Sequence, residues 1–246
     1  MMTDRIGMKI SGSTELNILG LTANSSAVEP GFLFAAFDGT VTDGYLFIPE
    51  ALSRGAVAVL AHSGRALDKL LETNPSVTLI TSENPRLTYA KFSARYYQLQ
   101  PKFVVGITGT NGKSSVAEFV RQLWALDGLE AASLGTLGLI GPSGTVSSRL
   151  TTPDSADLHC KLARLVQNNI NFMTLEASSH GLSQHRLDGV RIPVAAFTNL
   201  SRDHMDYHVT LDNYRAAKLR LFSEVLVAGG IAVLNRDDRC YEIIHD

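Results

Sequence analysis

The chain has 246 residues, of which 45% are hydrophobic and 19% charged, and a formal net charge of −2. That length allows one or two domains with a sizeable core, and the balanced charge excludes the broad basic footprint of a nucleic-acid binder. Two distant cysteines, Cys160 and Cys240, argue against a disulfide scaffold; no apolar run approaches the roughly 18 residues of a membrane span, and the opening segment MMTDRIGMKISGSTELN lacks a signal-peptide core, so a cytoplasmic protein without membrane or nucleic-acid partners is expected.

Residues 1–88 alternate short strands and helices. GFLFAAF (31–37), AVAVLAH (56–62) and VTLITS (77–82) read as strands, FIPEALSRG as a helix stopped by Gly55, and RALDKLLE as a second helix. A further helix starts at Asn84-Pro85, with Pro at its first position, and runs through LTYAKFSARYYQL. The domain boundary is placed at residues 88/89.

Residues 89–246 have a clearer rhythm. KFVVGITG (102–109) is a strand entering a glycine-rich turn, and SVAEFVRQLWALDG is a helix stopped by Gly128. SADLHCKLARLVQNN (155–169) is a helix, NFMTLE (171–176) and IPVAAFTNL (192–200) are strands, a helix begins near Leu211, and GGIAVLNRDD (229–238) is a last strand. Strands alternating with helices of this length predict an α/β fold: a small mixed domain, then a doubly wound, mainly parallel sheet that binds ligands at the carboxyl ends of its strands.

Polar clusters sit at those ends. GITGTNGKSS follows a strand and opens a helix, as a phosphate-binding loop requires; Lys113 is placed on the phosphates and Ser114 on Mg²⁺. The spacing departs from G-x-x-x-x-G-K-[ST], because Ile107 stands where the first Gly belongs. A glycine-rich turn without phosphate is the competing reading. Glu176 closes NFMTLE beside this loop and is either a metal ligand or a solvated strand end. Asp203, His204, Asp206 and His208 gather in SRDHMDYH, as a divalent-cation site or as a polar helix cap. Leu211, Tyr214, Leu221 and Val225 mark one buried helical face, and position 218 of that seam is Lys218. A buried ammonium tends to lose its proton, and the neutral amine can take up CO₂ as a carbamate; the alternative is a lysine whose stem lines the core while its head reaches water.

Together TGTNGKS (108–114), TTPDS (151–155), EASSHGLSQHRLDG (176–189), TNLSRDHMDYH (198–208) and YRAAKLRLF (214–222) resemble the Mur ligases, the ATP-dependent amide-forming enzymes of peptidoglycan synthesis. Within that family the motifs are most similar to those of the enzymes that add the third residue of the stem peptide. The resemblance implies that Gly109, Thr110, Asn111, Gly112, Lys113, Ser114 and Ser115 bind ATP. It also implies one Mg²⁺ on Ser114 and Glu176 and a second on Glu176, His204 and carbamylated Lys218, with Lys113, Glu176, His204 and Lys218 as the catalytic set. Thr151, Thr152, Ser178, Gln184 and Arg186 correspond to contacts with the muramoyl-peptide nucleotide, and Ser25 with Thr40, Val41 and Thr42 to contacts with its uridine diphosphate part. The implied substrates are UDP-N-acetylmuramoyl-L-alanyl-D-glutamate and a diamino acid, meso-2,6-diaminopimelate ahead of L-lysine, handled by a monomer.

Three departures stand out. The family's Asp-Ser-Arg is Asn24-Ser25-Ser26 here, and its Pro-Gly-Asp is Pro30-Gly31-Phe32, which removes a cation expected near the nucleotide. The family's C-terminal amino-acid-binding domain has no counterpart in this sequence, so an amino-terminal fragment, inactive by itself, is expected. Folylpolyglutamate synthases, the nearest competitor, carry the phosphate loop near the start of the chain, whereas here it begins at Gly109. A non-catalytic nucleotide-binding fragment is the competitor from another class.

Overall fold

A computed structural model describes residues 7–39, 42–65 and 67–245, which form two compact units dividing between Tyr96 and Tyr97. The first unit contains β1 (Met8–Ser11), β2 (Gly20–Thr22), β3 (Phe32–Ala35), α1 (Ile48–Ser53), β4 (Ala58–His62), α2 (Asp68–Thr73), β5 (Thr78–Ser82) and α3 (Pro85–Tyr97). Its sheet has the order β1-β5-β4-β3-β2, parallel except for β1. The expected boundary at 88/89 thus falls inside α3. That helix is committed to the first unit by its own face: Tyr89 and Ala90 are buried, and the Tyr89 ring meets Phe37 edge-on at 5.5 Å. Gly55 ends α1 at φ +95°, where a Cβ would lie 2.9 Å from the Pro30 Cα.

The second unit contains β6 (Phe103–Thr108), α4 (Lys113–Leu126), β7 (Ala131–Gly135), β8 (Gly138–Gly141), β9 (Gly144–Val146), α5 (Ser155–Gln167), β10 (Phe172–Glu176), α6 (Ser179–Ser183), β11 (Ile192–Phe197), α7 (Met205–His208), α8 (Leu211–Arg220), β12 (Leu226–Leu234) and α9 (Tyr241–His245). The strands lie in the order β12-β11-β6-β10-β7-β8-β9, parallel from β12 to β7, with β8 and β9 added antiparallel. Alternation along β6 serves both faces: Val104 joins the core under α5 with Leu158, Leu162 and Met173, while Val105 and Ile107 pack under α4 with Val116, Ala117 and Trp124.

Strand β6 is flanked by β10 on one side and β11 on the other, so the chain order switches direction at its carboxyl end, where open α/β sheets hold ligands. Glu176 is level with Ile107 and Phe197 with Thr108, so the loops after all three strands leave the sheet together. The strand AASLG (β7) escapes a sequence reading because its side chains are mostly small and none is β-branched or aromatic, the kinds that mark strands. Among the described residues no helix is long and apolar enough to cross a membrane.

Candidate active site

The phosphate loop joins β6 to α4 through two glycines in conformations that side chains resist, Gly109 at φ +143° and Gly112 at φ +84°. A Cβ at Gly109 would lie 1.9 Å from the Thr198 hydroxyl oxygen, so the loop passes close against the segment leaving β11. Fixed bonds hold it there. The Thr110 N–H donates to the Asn199 carbonyl at 2.8 Å and the Asn111 N–H to Asn199 Oδ1 at 3.1 Å. The Thr110 hydroxyl oxygen accepts the Ser201 N–H at 2.9 Å and lies 3.2 Å from the Tyr214 hydroxyl. Lys113 starts α4 and folds back, its ammonium donating to the carbonyls of Gly109 and Thr110 at 3.0 and 2.9 Å. Burial lowers its pKa, while Glu176 and Asp203 pull it upward. Ser114 and Ser115 follow in the first turn of α4, where backbone N–H groups and the helix dipole favour an anion.

Glu176 ends β10 with 2% of its surface exposed. Its carboxylate accepts the Thr136 N–H at 2.9 Å and the Thr136 hydroxyl at 3.3 Å, which leaves lone pairs for a further partner. A Cβ at Gly135 would fall 1.9 Å from Oε1, so the strand end is shaped around this carboxylate. A buried carboxylate with free lone pairs at this strand end suits a hard cation such as Mg²⁺. Among the described residues no three His, Cys, Asp or Glu side chains converge as a ready-made metal site.

The segment around Glu176 is a continuous network. Thr151 Oγ1 lies 3.0 Å from Thr136 Oγ1. Thr152 donates its hydroxyl to the Glu176 carbonyl at 2.7 Å and accepts the Ser178 N–H at 3.0 Å. Arg186 donates to the Thr152 carbonyl and to Gln184 Oε1, both at 2.7 Å, and Gln184 Nε2 donates to the Tyr207 hydroxyl at 3.0 Å. Ser178 caps α6 by accepting the Gly181 N–H at 3.0 Å. All five residues expected at the muramoyl-peptide nucleotide are therefore neighbours in one network. The Thr152 hydroxyl, buried and spent on both sides, fixes the segment rather than offering itself to a ligand.

Lys218 is 2% exposed, in a seam with Tyr214, Leu221 and Val225, so its head does not escape to water. The ammonium donates to the Gly109 carbonyl at 2.7 Å and lies 4.5 Å from the centre of the Tyr214 ring. Burial, reinforced by Lys113, lowers its pKa to about 7, with Asp203 opposing. Leu211, expected in the same seam, is 41% exposed, because it sits in the first turn of α8 ahead of the packed face. The histidine-rich turn α7 lies between two residues of positive φ, His204 at +53° and Val209 at +65°. The His204 side chain is about half exposed, and its ring stands 4.9 Å from that of His180. His208 is buried, and burial above all lowers its pKa to about 4.

In the first unit Ser25 is buried and donates to Glu50 at 2.6 Å. Asn24 accepts the Ser26 N–H at 3.1 Å, so the departure from Asp keeps the turn cap. Thr42 is exposed. Thr40 and Val41 lie outside the described residues. Cations are present beside this loop: Arg65 bonds Asp38 and Asp43, and Arg86 donates to the Asp38 carbonyl at 3.2 Å.

Thr198, Asn199 and Tyr207 lie within the quoted motif TNLSRDHMDYH but received no role from it, and Thr136 lies outside every quoted motif. Their contacts join segments far apart in the chain.

Comparisons with known proteins bear on the same residues. The Mur ligase middle domain matches residues 107–246, and the Mur ligase family catalytic domain matches residues 17–99. The UDP-N-acetylmuramoyl-L-alanyl-D-glutamate--2,6-diaminopimelate ligase of Brucella melitensis is 46% identical over 225 residues, covering 92% of this chain and 45% of the relative. The ligase of the same description from Agrobacterium fabrum is 47% identical over 223 residues, covering 91% of this chain and 44% of the relative. A solved structure of such a ligase superposes with a TM-score of 0.78 at 32% identity, over 93% of this chain and 45% of that one. The MurF ligase of Thermotoga maritima, solved in complex with ADP, shares the fold at 19% identity and a TM-score of 0.55, over 89% of this chain and 46% of its own. The chain thus spans just under half the length of the relatives it matches.

Proposed function

The chain belongs to the Mur ligase family, and we propose that it carries the nucleotide-binding part of a ligase that joins 2,6-diaminopimelate to UDP-N-acetylmuramoyl-L-alanyl-D-glutamate at the expense of ATP. One observation carries this reading: the phosphate loop, the buried Glu176 and the Thr152–Arg186–Gln184 network gather beside one topological switch point. The names of relatives at 46% identity support diaminopimelate over lysine as the added residue.

In this reading the first unit holds the uridine diphosphate part through Ser25 and the 40–42 loop, and the second unit holds ATP. The D-glutamate carboxylate attacks the γ-phosphorus of ATP, giving an acyl phosphate and ADP. The amine of the diamino acid then adds to the acyl carbon and expels phosphate. Two anions must approach in the first step, so electrostatic stabilisation is the main requirement. Lys113 supplies a cation from the protein; when bound, Mg²⁺ held by Ser114 and Glu176, and by Glu176, His204 and carbamylated Lys218, adds further positive charge. The lowered pKa of Lys218 favours the free amine that CO₂ requires: the amine nitrogen bonds the carbon and one proton leaves to solvent. One N–H remains on that nitrogen for the Gly109 carbonyl.

The test uses calorimetry on the 246-residue chain. ADP and UDP-N-acetylmuramoyl-dipeptide are each expected to bind, and Lys113→Ala to weaken ADP at least about tenfold, or 1.4 kcal/mol, with the dipeptide unaffected. Failure of the unaltered chain to bind either ligand would sink the proposal. Substrate-dependent phosphate release is expected to be absent from the 246-residue chain tested by itself; amide product at a full-length relative's rate would refute that part.

A further inference from the structure

We infer that Asn199 is a positioning residue that shapes the phosphate loop by engaging the amides of Thr110 and Asn111, leaving those from Gly112 onward to face phosphate. The inference rests on the nucleotide reading above and adds a residue to it.

The geometry is specific. Asn199 touches the loop three times: its carbonyl accepts the Thr110 N–H at 2.8 Å, its Oδ1 accepts the Asn111 N–H at 3.1 Å, and its Nδ2 donates to the Asn111 carbonyl at 3.1 Å. The side-chain amide thus binds the donor and the acceptor of one backbone residue at once, as a neighbouring strand would. Only a group with a donor and an acceptor in one plane does this. Asp lacks the donor and Ala lacks both.

Neighbouring contacts hold Asn199 in place. The Thr198 hydroxyl donates to the Asn111 carbonyl at 2.7 Å, and the Thr198 carbonyl accepts from Asn235 Nδ2 at 2.8 Å. The N–H of Leu200 is held by Asp238 at 2.8 Å. The clamp therefore stands on both sides on the segment that follows β12.

The consequence concerns which loop amides remain. Thr110 and Asn111 lie in the phosphate-binding motif, yet their N–H groups point at Asn199 and are not available to a ligand. Gly112 turns the chain at φ +84° into a 14-residue helix. The N–H groups of Lys113, Ser114 and Ser115 fall in the first turn of α4, which has no intrahelical acceptors for them. A β-phosphate of a nucleoside diphosphate is the ligand chemistry this arrangement serves.

The experiment compares ADP with adenosine, which shares the base and sugar but has no phosphate, on the unaltered chain, Asn199→Ala and Asn199→Asp. Asn199→Ala should bind ADP at least tenfold more weakly and adenosine as before. Asn199→Asp keeps the shape and the acceptor but loses the donor, and it should also weaken ADP selectively, which guards against a folding defect in the alanine variant. Hydrogen exchange adds a readout that needs no ligand: the Asn111 amide should exchange at least tenfold faster in Asn199→Ala. ADP affinity within twofold of the unaltered chain in both variants, or an unchanged Asn111 exchange rate, overturns the clamp. Absence of ADP binding by the unaltered chain overturns the nucleotide reading and the clamp together, whereas normal binding by the unaltered chain and by both variants overturns the clamp alone.

Discussion

The phosphate loop and the histidine-rich turn occupy adjacent strand ends, and they are held differently. Backbone bonds and side-chain clamps hold Thr110 and Asn111, and two ammonium groups converge on the Gly109 carbonyl. The turn α7 adds ring contacts to its hydrogen bonds: His180 lies 4.1 Å from Tyr207 and His208 5.2 Å from Tyr214, while Gln184 Nε2 donates to the Tyr207 hydroxyl at 3.0 Å and Asn213 Nδ2 to the His208 carbonyl at 3.1 Å. His208 Nε2 is buried without a hydrogen-bond partner among the described residues, and a β-branched valine at positive φ closes the turn. The first region is shaped in advance for its ligand, which avoids ordering costs on binding. The second keeps a half-exposed His204 and a positive φ at each end.

The largest effect should come from breaking the preformed loop at Gly109. Both loop glycines have positive φ, but their surroundings differ: a Cβ at Gly109 meets the Thr198 hydroxyl oxygen at 1.9 Å, and a Cβ at Gly112 meets nothing within 4 Å. Gly112→Ala should therefore cost only the conformational penalty, about 1–2 kcal/mol, and retain measurable ADP binding. Gly109→Ala must also push the loop off Asn199, and ADP binding should fall below detection in calorimetry. Equal losses for the two substitutions would mean that the approach to Thr198 does not matter.

The same contrast explains what was legible in the sequence. The strand–glycine–helix run at 102–126 is local, and its strand, loop and helix lie where the sequence put them. Glu176 was visible because it closes a short apolar strand, and Lys218 because it interrupts a helical period. Asn199 acts on Asn111 across 88 positions and Thr136 on Glu176 across 40, and neither belongs to a periodic pattern. The strand β7, made largely of small residues, and the extent of α3, decided by Tyr89 packing in the first unit, are likewise tertiary facts. The burial of Thr152 could not be read either, since a threonine beside a proline is as suited to a ligand contact as to an internal bond.

Acid should separate the two regions further. His208 titrates near 4 in the folded chain because burial, with His180, His204 and Lys218 nearby, disfavours the cation, against 6.5 for an ordinary histidine. The unfolded chain then binds more protons, so the stability tied to neutral His208 is present above about 6.5 and is lost as the pH falls toward 4. His159, buried in α5 and also held near 4, contributes in the same direction. The midpoint of thermal unfolding should drop from pH 7 to pH 4 by several degrees more in the unaltered chain than in His208→Phe, with His159 and the ion-paired Glu118 contributing to the remainder. Parallel pH profiles would show that His208 gains solvent access without unfolding.

The smallest effect, and the one with opposite sign, is expected at Val209. Its φ of +65° is costly for a β-branched residue, and its side chain is 76% exposed, so little packing is lost on removing it. Strain of this kind is worth roughly 1–3 kcal/mol, and the added freedom of glycine in the unfolded chain returns about 0.5–1 kcal/mol of that. Val209→Gly should therefore stabilise the chain by about 1 kcal/mol, read as a raised unfolding midpoint, whereas the same replacement at Val105, buried under α4, should destabilise it. A lowered midpoint for Val209→Gly would mean that the valine, rather than the ring contacts, holds the turn closed.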